Sequence, residues 1–177
     1  MPARRLAVCF AFLALLSLLR PGFLARAQLA DDVTPRLGVG AQGLASTEDG
    51  VAPGVRLRAS APLNADVSLA GGLGLSGFVL GGSEDATYLL DPQFSLVVNL
   101  PRQSDGDYLP YLLTGVGGHF PLADDGRSES GLVLHVGYGR VQTLADTSVF
   151  YEANPGLLVA ENNVEVLLPI RIGLIFR

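Results

Sequence analysis

The chain has 177 residues, with 12 Arg and no Lys set against 17 Asp and Glu, for a formal net charge of −5. That balance argues against a nucleic-acid-binding surface, which needs a basic face. Beyond the N-terminus no apolar segment approaches the ~20 residues of a membrane-spanning helix, so a helical membrane protein is excluded as well.

The N-terminus reads as an export signal. Arg4 and Arg5 precede Leu6–Leu19, 14 residues of which only Ser17 is polar. The run is short for a transmembrane helix, which takes about 20 residues, and Ala25-Arg26-Ala27 fits a cleavage site, so residues 1–27 are expected to be removed. Cys9 leaves with them, and the remaining chain has neither a disulfide frame nor a thiol site. Cleavage leaves 177 − 27 = 150 residues, a length that suits one domain. Arg4, Arg5, Arg20 and Arg26 are lost, which takes the net charge to 8 − 17 = −9. Residues 28–34 form a short extension, and 35–177 the domain.

From residue 35 onward the chain alternates in twos. Pro35–Ala45 places Leu37, Val39, Ala41 and Ala45 on one face and Arg36, Gln42 and glycines on the other. Ser46-Thr47-Glu48-Asp49-Gly50 is a loop. Gly54–Ala61 sets Val55, Leu57 and Ala59 against Arg56, Arg58 and Ser60. Asp66–Val79 sets Val67, Leu69, Leu73 and Leu75 against small or polar residues. Thr87–Leu100 sets Tyr88, Leu90, Phe94, Leu96 and Val98 against Asp91, Gln93, Ser95 and Asn99, with Pro92 on the apolar parity at the loss of a ladder bond. Tyr108–Phe120 is a strand whose two parities compete. Gly131–Arg140 sets Leu132, Leu134, Val136 and Tyr138 against His135 and glycines. Ser148–Ala153 is a short strand, ended by Asn154-Pro155-Gly156 and extended by Leu157–Ala160. The last strand, Val164–Phe176, has seven alternate apolar positions in a row, with Glu165 and Arg171 on the other parity. Its length exceeds the 5–6 residues usual in soluble sheets and matches the ~9–11 that cross a bilayer.

The expected fold class is therefore all-β, an antiparallel up-and-down barrel of eight strands crossing a membrane. Such a barrel hides its hydrophobicity in alternation rather than in runs. An even strand number puts both termini on the periplasmic side, and the connections near 46–53, 80–86, 121–130 and 154–163 on the outside. Aromatics fall near strand ends (Tyr88, Tyr108, Tyr111, Phe120, Tyr138, Phe176), where interfacial girdles lie. Periodicity alone does not say which face is inside. A soluble secreted or periplasmic barrel, binding an apolar small molecule in its cavity, stands as an alternative.

The Gly-rich opening strand Leu37–Gly43, the segment Pro110–Gly118 and the ending Leu168–Arg177 resemble the small outer-membrane β-barrel families of the OmpA/OmpX type and the broad porin-family barrel domain. The resemblance covers the chain after the signal. It implies the outer membrane of a Gram-negative-type bacterium, outer-membrane lipids as surroundings, and barrel-assembly machinery that reads the C-terminal strand. Family members end in an aromatic residue; here Phe176 is penultimate and Arg177 last.

Catalytic and ligand motifs are sparse. His135 shares the polar parity of its strand, and Ser128, Glu129 and Ser130 are close in sequence. A barrel enzyme acting on envelope lipids through His135 or His119 is a second alternative to a protein without catalytic residues. Glu84-Asp85 and Asp124-Asp125-Gly126 lack the spacing of a calcium loop and read as solvated acids. Gly38-Val39-Gly40 and Gly115–Gly118 precede no helix, so the phosphate-cradle mechanism fails. No metal or cofactor is expected.

An eight-stranded barrel is about wide enough for side chains to fill. The expected lumen set is Arg36, Arg56, Arg58, Asp66, Asp91, Gln93, His135, Glu152, Glu165 and Arg171. Isolated buried charges are unfavourable, so these residues are expected to pair and to close the interior. The function that follows is structural, adhesive or another surface interaction.

Overall fold

The computed structural model describes residues 34–78, 87–101, 108–122, 129–144, 147–161 and 163–176. The expected signal 1–27, Glu84-Asp85, Asp124-Asp125-Gly126, Ser128 and Arg177 lie outside the described residues.

Among the described residues nine strands appear in chain order: β1 Arg36–Ser46, β2 Gly50–Pro62, β3 Val67–Phe78, β4 Thr87–Asn99, β5 Tyr108–Pro121, β6 Gly131–Leu144, β7 Thr147–Ala153, β8 Gly156–Val159 and β9 Val164–Phe176. Each pairs antiparallel with its neighbours, and β1 pairs with β9, which closes the sheet. β7 and β8 both lie between β6 and β9. They are two halves of one wall position, so the barrel has eight positions around its circumference.

Asn154-Pro155 was expected to break the wall and to belong to an outer connection. It does neither. The register on β6 and β9 is the same before and after it, with Ala153 facing Tyr138 and Ile170 and Gly156 facing His135 and Leu167. Val136 N donates to Pro155 O at 3.1 Å, and Asn154 N donates to Pro169 O at 3.0 Å, so the ladder runs through the dipeptide. The outer connection there is the shorter 160–163.

Two other strands are longer than their sequence pattern suggested. β2 starts at Gly50 rather than Gly54, because residues 47–49 make a tight turn. Ser46 Oγ accepts from the backbone N–H of Glu48 and of Asp49, and Gly50 takes φ 89°, open to glycine without strain. β6 runs four residues past Arg140, to Leu144, paired with β5 and β7.

The stagger of the closed sheet follows from the pairings. Passing from Arg36 to Ser60, Ala70, Ser95, Gly115, His135, Gly156 and Leu167 leads back to β1 at Ser46, ten positions further on. With eight wall positions this stagger tilts the strands by about 40°. The 13 residues of β9 then rise about 30 Å along the axis, the thickness of a bilayer's hydrocarbon core.

Side chains separate sharply by parity. On β9, Val164, Val166, Leu168, Ile170, Ile172, Leu174 and Phe176 are exposed, while Glu165, Leu167, Pro169 and Arg171 are buried. Ile170 is 60% exposed and Arg171 3%. The competing parities of β5 resolve the same way, with Tyr111, Leu113 and His119 inside and Leu112, Val116 and Phe120 outside.

The interior is layered. Near the end away from Arg36 and Phe176, Leu44, Ala52, Phe78, Leu89, Val133, Leu158 and Leu167 pack together inside the barrel. Near the end that holds Arg36 and Phe176, Ala70, Val97, Tyr111 and Leu113 pack together, with Val141 against them. Polar side chains fill the middle.

Inward glycines make room for them. A Cβ on Gly72 would lie 2.3 Å from Arg56 Nη2, one on Gly139 2.3 Å from the Tyr111 ring, and one on Gly173 2.6 Å from the Phe150 ring. Gly43, on the outer face, has nothing within 4 Å of that position. Gly139→Val is therefore expected to destabilise the barrel by about 1–3 kcal/mol through overpacking against Tyr111. Gly43→Ala is expected to change stability by no more than about 0.5 kcal/mol. Urea unfolding in the presence of lipid vesicles measures both, and equal losses for the two variants would refute the packing account.

Candidate functional site

The polar middle of the lumen is built on strand alternation. Arg56 and Arg58 are successive inward positions of β2, Asp91 and Gln93 of β4, and Glu152 and Arg171 face each other across β7 and β9. The tilt of the wall brings them to one level.

Glu152 is the hub. It is 6% exposed and forms ion pairs with Arg58 and, at 3.4 Å, with Arg171. Tyr111 Oη donates to it at 2.9 Å. The Arg58 guanidinium also lies 5.7 Å from the centroids of both the Tyr111 and Phe150 rings, so it is held between a carboxylate and two aromatic faces. One carboxylate thus compensates two buried cations, and a neutral phenol completes its shell.

Gln93 forms the second junction. Its Oε1 accepts from Arg56 Nη2 and from Arg171 Nη2, each at 2.9 Å. Arg56 was expected to pair with a carboxylate and is instead bonded to this amide. Asp91 lies 3.2 Å from His119 Nδ1. Gln42 Nε2 donates to Ser76 Oγ at 2.6 Å. His135 Nε2 and Ser95 Oγ are 3.0 Å apart.

Other members of the expected set stand apart from this network. Glu165 is buried at the far end of β9 and bonds to Ser46. Arg36 is exposed at the first residue of β1, and Asp66 is exposed in the turn 63–66, where its N–H donates to Asn64 Oδ1. Both sit at a strand end, past the level at which the wall encloses side chains. Ser130 and Glu129 are exposed before β6 begins and do not meet His135.

Several participants escaped sequence reasoning. Tyr111, expected among the interfacial aromatics, instead lies inside the lumen, a placement masked by the mixed parity of β5. His119 and Asp91 are brought together only by the β4–β5 stagger. Leu44, Leu89 and Leu167 are apolar residues on the polar parity, and their shared position near one end of their strands was the available signal.

One cavity among Gln42, Asp91, Gln93, Asn154 and Arg171 and another among Arg56, Arg58, Glu152 and Arg171 each measure about 10 Å³. That is roughly room for one water molecule.

The closed barrel is shared with solved β-barrel proteins. Neisserial surface protein A superposes with a TM-score of 0.64 at 16% identity, over 82% of this chain and 99% of that one. The chain has the fold of the small outer-membrane β-barrels. The N-terminal barrel domain of Pseudomonas aeruginosa OprF matches this barrel with a TM-score of 0.51 at 15% identity, over 82% and 100% of the two chains. Ail, the attachment invasion locus protein of Yersinia pestis, matches with a TM-score of 0.50 at 16% identity, over 82% and 99%. The sequence matches no protein-family model and no curated protein.

The hub makes a direct prediction for this small outer-membrane barrel fold. Glu152→Gln leaves Arg58 and Arg171 without their carboxylate and is expected to destabilise the barrel by about 3–5 kcal/mol. Glu152→Gln combined with Arg58→Met and Arg171→Met removes the stranded cations and is expected to recover at least half of that loss. Urea unfolding from lipid vesicles checks the pair, and a triple variant less stable than the single one contradicts the assignment of Glu152 as compensating charge.

Proposed function

We propose that the protein is a non-enzymatic β-barrel of the outer membrane of a Gram-negative-type bacterium, exported through a signal cleaved after residue 27. Residues 35–177 form its single barrel domain, and assembly machinery recognises its C-terminal strand. Its role is structural or surface-interacting, and its lumen does not conduct.

One observation carries the membrane placement: the polarity of the chain is inverted. Side chains such as Ile170 and Leu57 stand exposed at 60% while Arg171 and Glu152 are buried. In water that arrangement would be unfavourable on both counts; in hydrocarbon it is favourable on both. The closed sheet leaves no edge to satisfy.

The soluble ligand-binding alternative needs an apolar cavity of roughly 300 Å³ or more. The two lumen cavities described above measure about 10 Å³ each, far below that size. The enzymatic alternative needs substrate at His135 or His119. Both are buried among the lumen side chains, and His135 is engaged by Ser95. The surface role is supported by the fold shared with a Neisserial surface protein and an attachment protein.

Fractionation tests the placement. The protein is expected in the outer-membrane fraction, with a mobility on a denaturing gel that shifts on boiling; a soluble protein without the shift contradicts it. In planar bilayers the purified barrel is expected to show no stable channel. A large, steady single-channel conductance would overturn the closed lumen while leaving the placement intact.

A further inference from the structure

We propose that Arg140 binds the phosphate of a glycerophospholipid headgroup on the outer wall of the barrel. Among the described strand residues Arg140 is the only charged side chain that faces outward; its neighbours on that face are apolar except for Thr114, Gln142 and Thr147. A charge turned toward lipid is unfavourable unless a polar partner meets it.

The side chain is held ready for such a partner. Arg140 Nε donates to Tyr138 Oη at 2.9 Å, and the guanidinium lies 5.7 Å from the centroid of the same ring. Its two Nη groups have no acceptor among the described residues. A fork fixed through Nε and open at both Nη groups matches the geometry of a phosphate oxygen pair.

The surroundings fit a headgroup. Tyr151 on β7 and Pro110 on β5 face Arg140 across the ladder, and Tyr108 faces Gln142 two pairs nearer the end of the strand. Arg140 is four residues from Leu144, the end of β6. That is about 10 Å along the barrel axis, within snorkelling reach of the interface where tyrosines collect. No carboxylate among the described strand residues shares the outer face, and a lipid phosphate would supply the missing counter-charge.

Lipid phosphate has two sources in an outer membrane, glycerophospholipid and lipid A. Arg140 lies near the end of the barrel that holds Arg36 and Phe176. An even-stranded barrel turns that end to the periplasm, where the leaflet is glycerophospholipid. The inference rests on the membrane placement proposed above.

The test is native mass spectrometry of the full barrel released from detergent micelles containing phosphatidylglycerol, diacylglycerol or lipid A. The wild type is expected to retain phosphatidylglycerol in preference to diacylglycerol and to lipid A. Arg140→Gln is expected to weaken phosphatidylglycerol retention about fivefold and to leave diacylglycerol unchanged, and Arg140→Lys to recover part of the loss. Equal retention of phosphatidylglycerol by wild type and Arg140→Gln overturns the site. Tighter retention of lipid A overturns the assigned source. If Arg140→Gln does not fold, the wild-type comparison still decides, because no preference for phosphatidylglycerol over diacylglycerol refutes the proposal. A failure of membrane placement is distinguishable: such a protein shows no boiling-dependent mobility shift and retains none of the three lipids.

Discussion

Closure of the sheet is the constraint on which the other features depend. A strand facing hydrocarbon has no water to satisfy its N–H and C=O groups, so every group needs a partner in the wall. The β1–β9 pairing removes both edges at once. Prolines test how strictly the wall is kept. Pro155 has no N–H to give, yet its carbonyl accepts from Val136 and the adjacent Asn154 N–H reaches Pro169 O. The register is the same on both sides of the dipeptide, so its effect is local: one donor is missing and no residue is displaced.

Closure with a ten-position stagger sets the width of the interior, and the width sets the composition. A barrel this narrow cannot hold a long side chain from every inward position. The chain solves this by placing glycine beside length. Gly72 lies under Arg56, Gly139 under Tyr111 and Gly173 under Phe150. Glycine within a strand normally weakens it. Here its missing side chain is the space that the guanidinium and the rings occupy, so these inward glycines and the long side chains beside them have one cause.

Much of this was legible in the alternation. The parity of β9 alone assigns Ile170 to one solvent and Arg171 to another, and β2 does the same for Leu57 and Arg56. What alternation does not carry is distance across the barrel. Glu152 meets Arg58 and Tyr111 because the tilt brings β2, β5 and β7 to one level, and the tilt is a property of the closed sheet rather than of any segment. Tyr111 shows a second limit. Its strand has apolar residues on both parities, since Leu113 packs inside while Leu112 faces out, so period two gives no contrast there. Turn boundaries failed for a third reason. Ser46 holds residues 47–49 in a tight turn, and the polar run that looked like a longer loop holds only three residues of connection.

The central layer of the lumen is cationic by one charge, with Arg56, Arg58 and Arg171 against Glu152 and Asp91. Asp91 faces His119 rather than an arginine, so Glu152 is left as the carboxylate shared by Arg58 and Arg171. Gln93 resolves the remaining crowding. Its amide oxygen accepts from both Arg56 and Arg171 and separates two guanidiniums that would otherwise repel. A carboxylate at that position would attract both cations more strongly but would add a further anion to bury near Glu152. An amide supplies the hydrogen bonds without the charge. The layer is held by geometry rather than by charge balance, and each side chain is fixed by at least one neighbour on a different strand. That cross-bracing ties β2, β4, β7 and β9 together through the interior, in addition to the ladders that tie them around the wall.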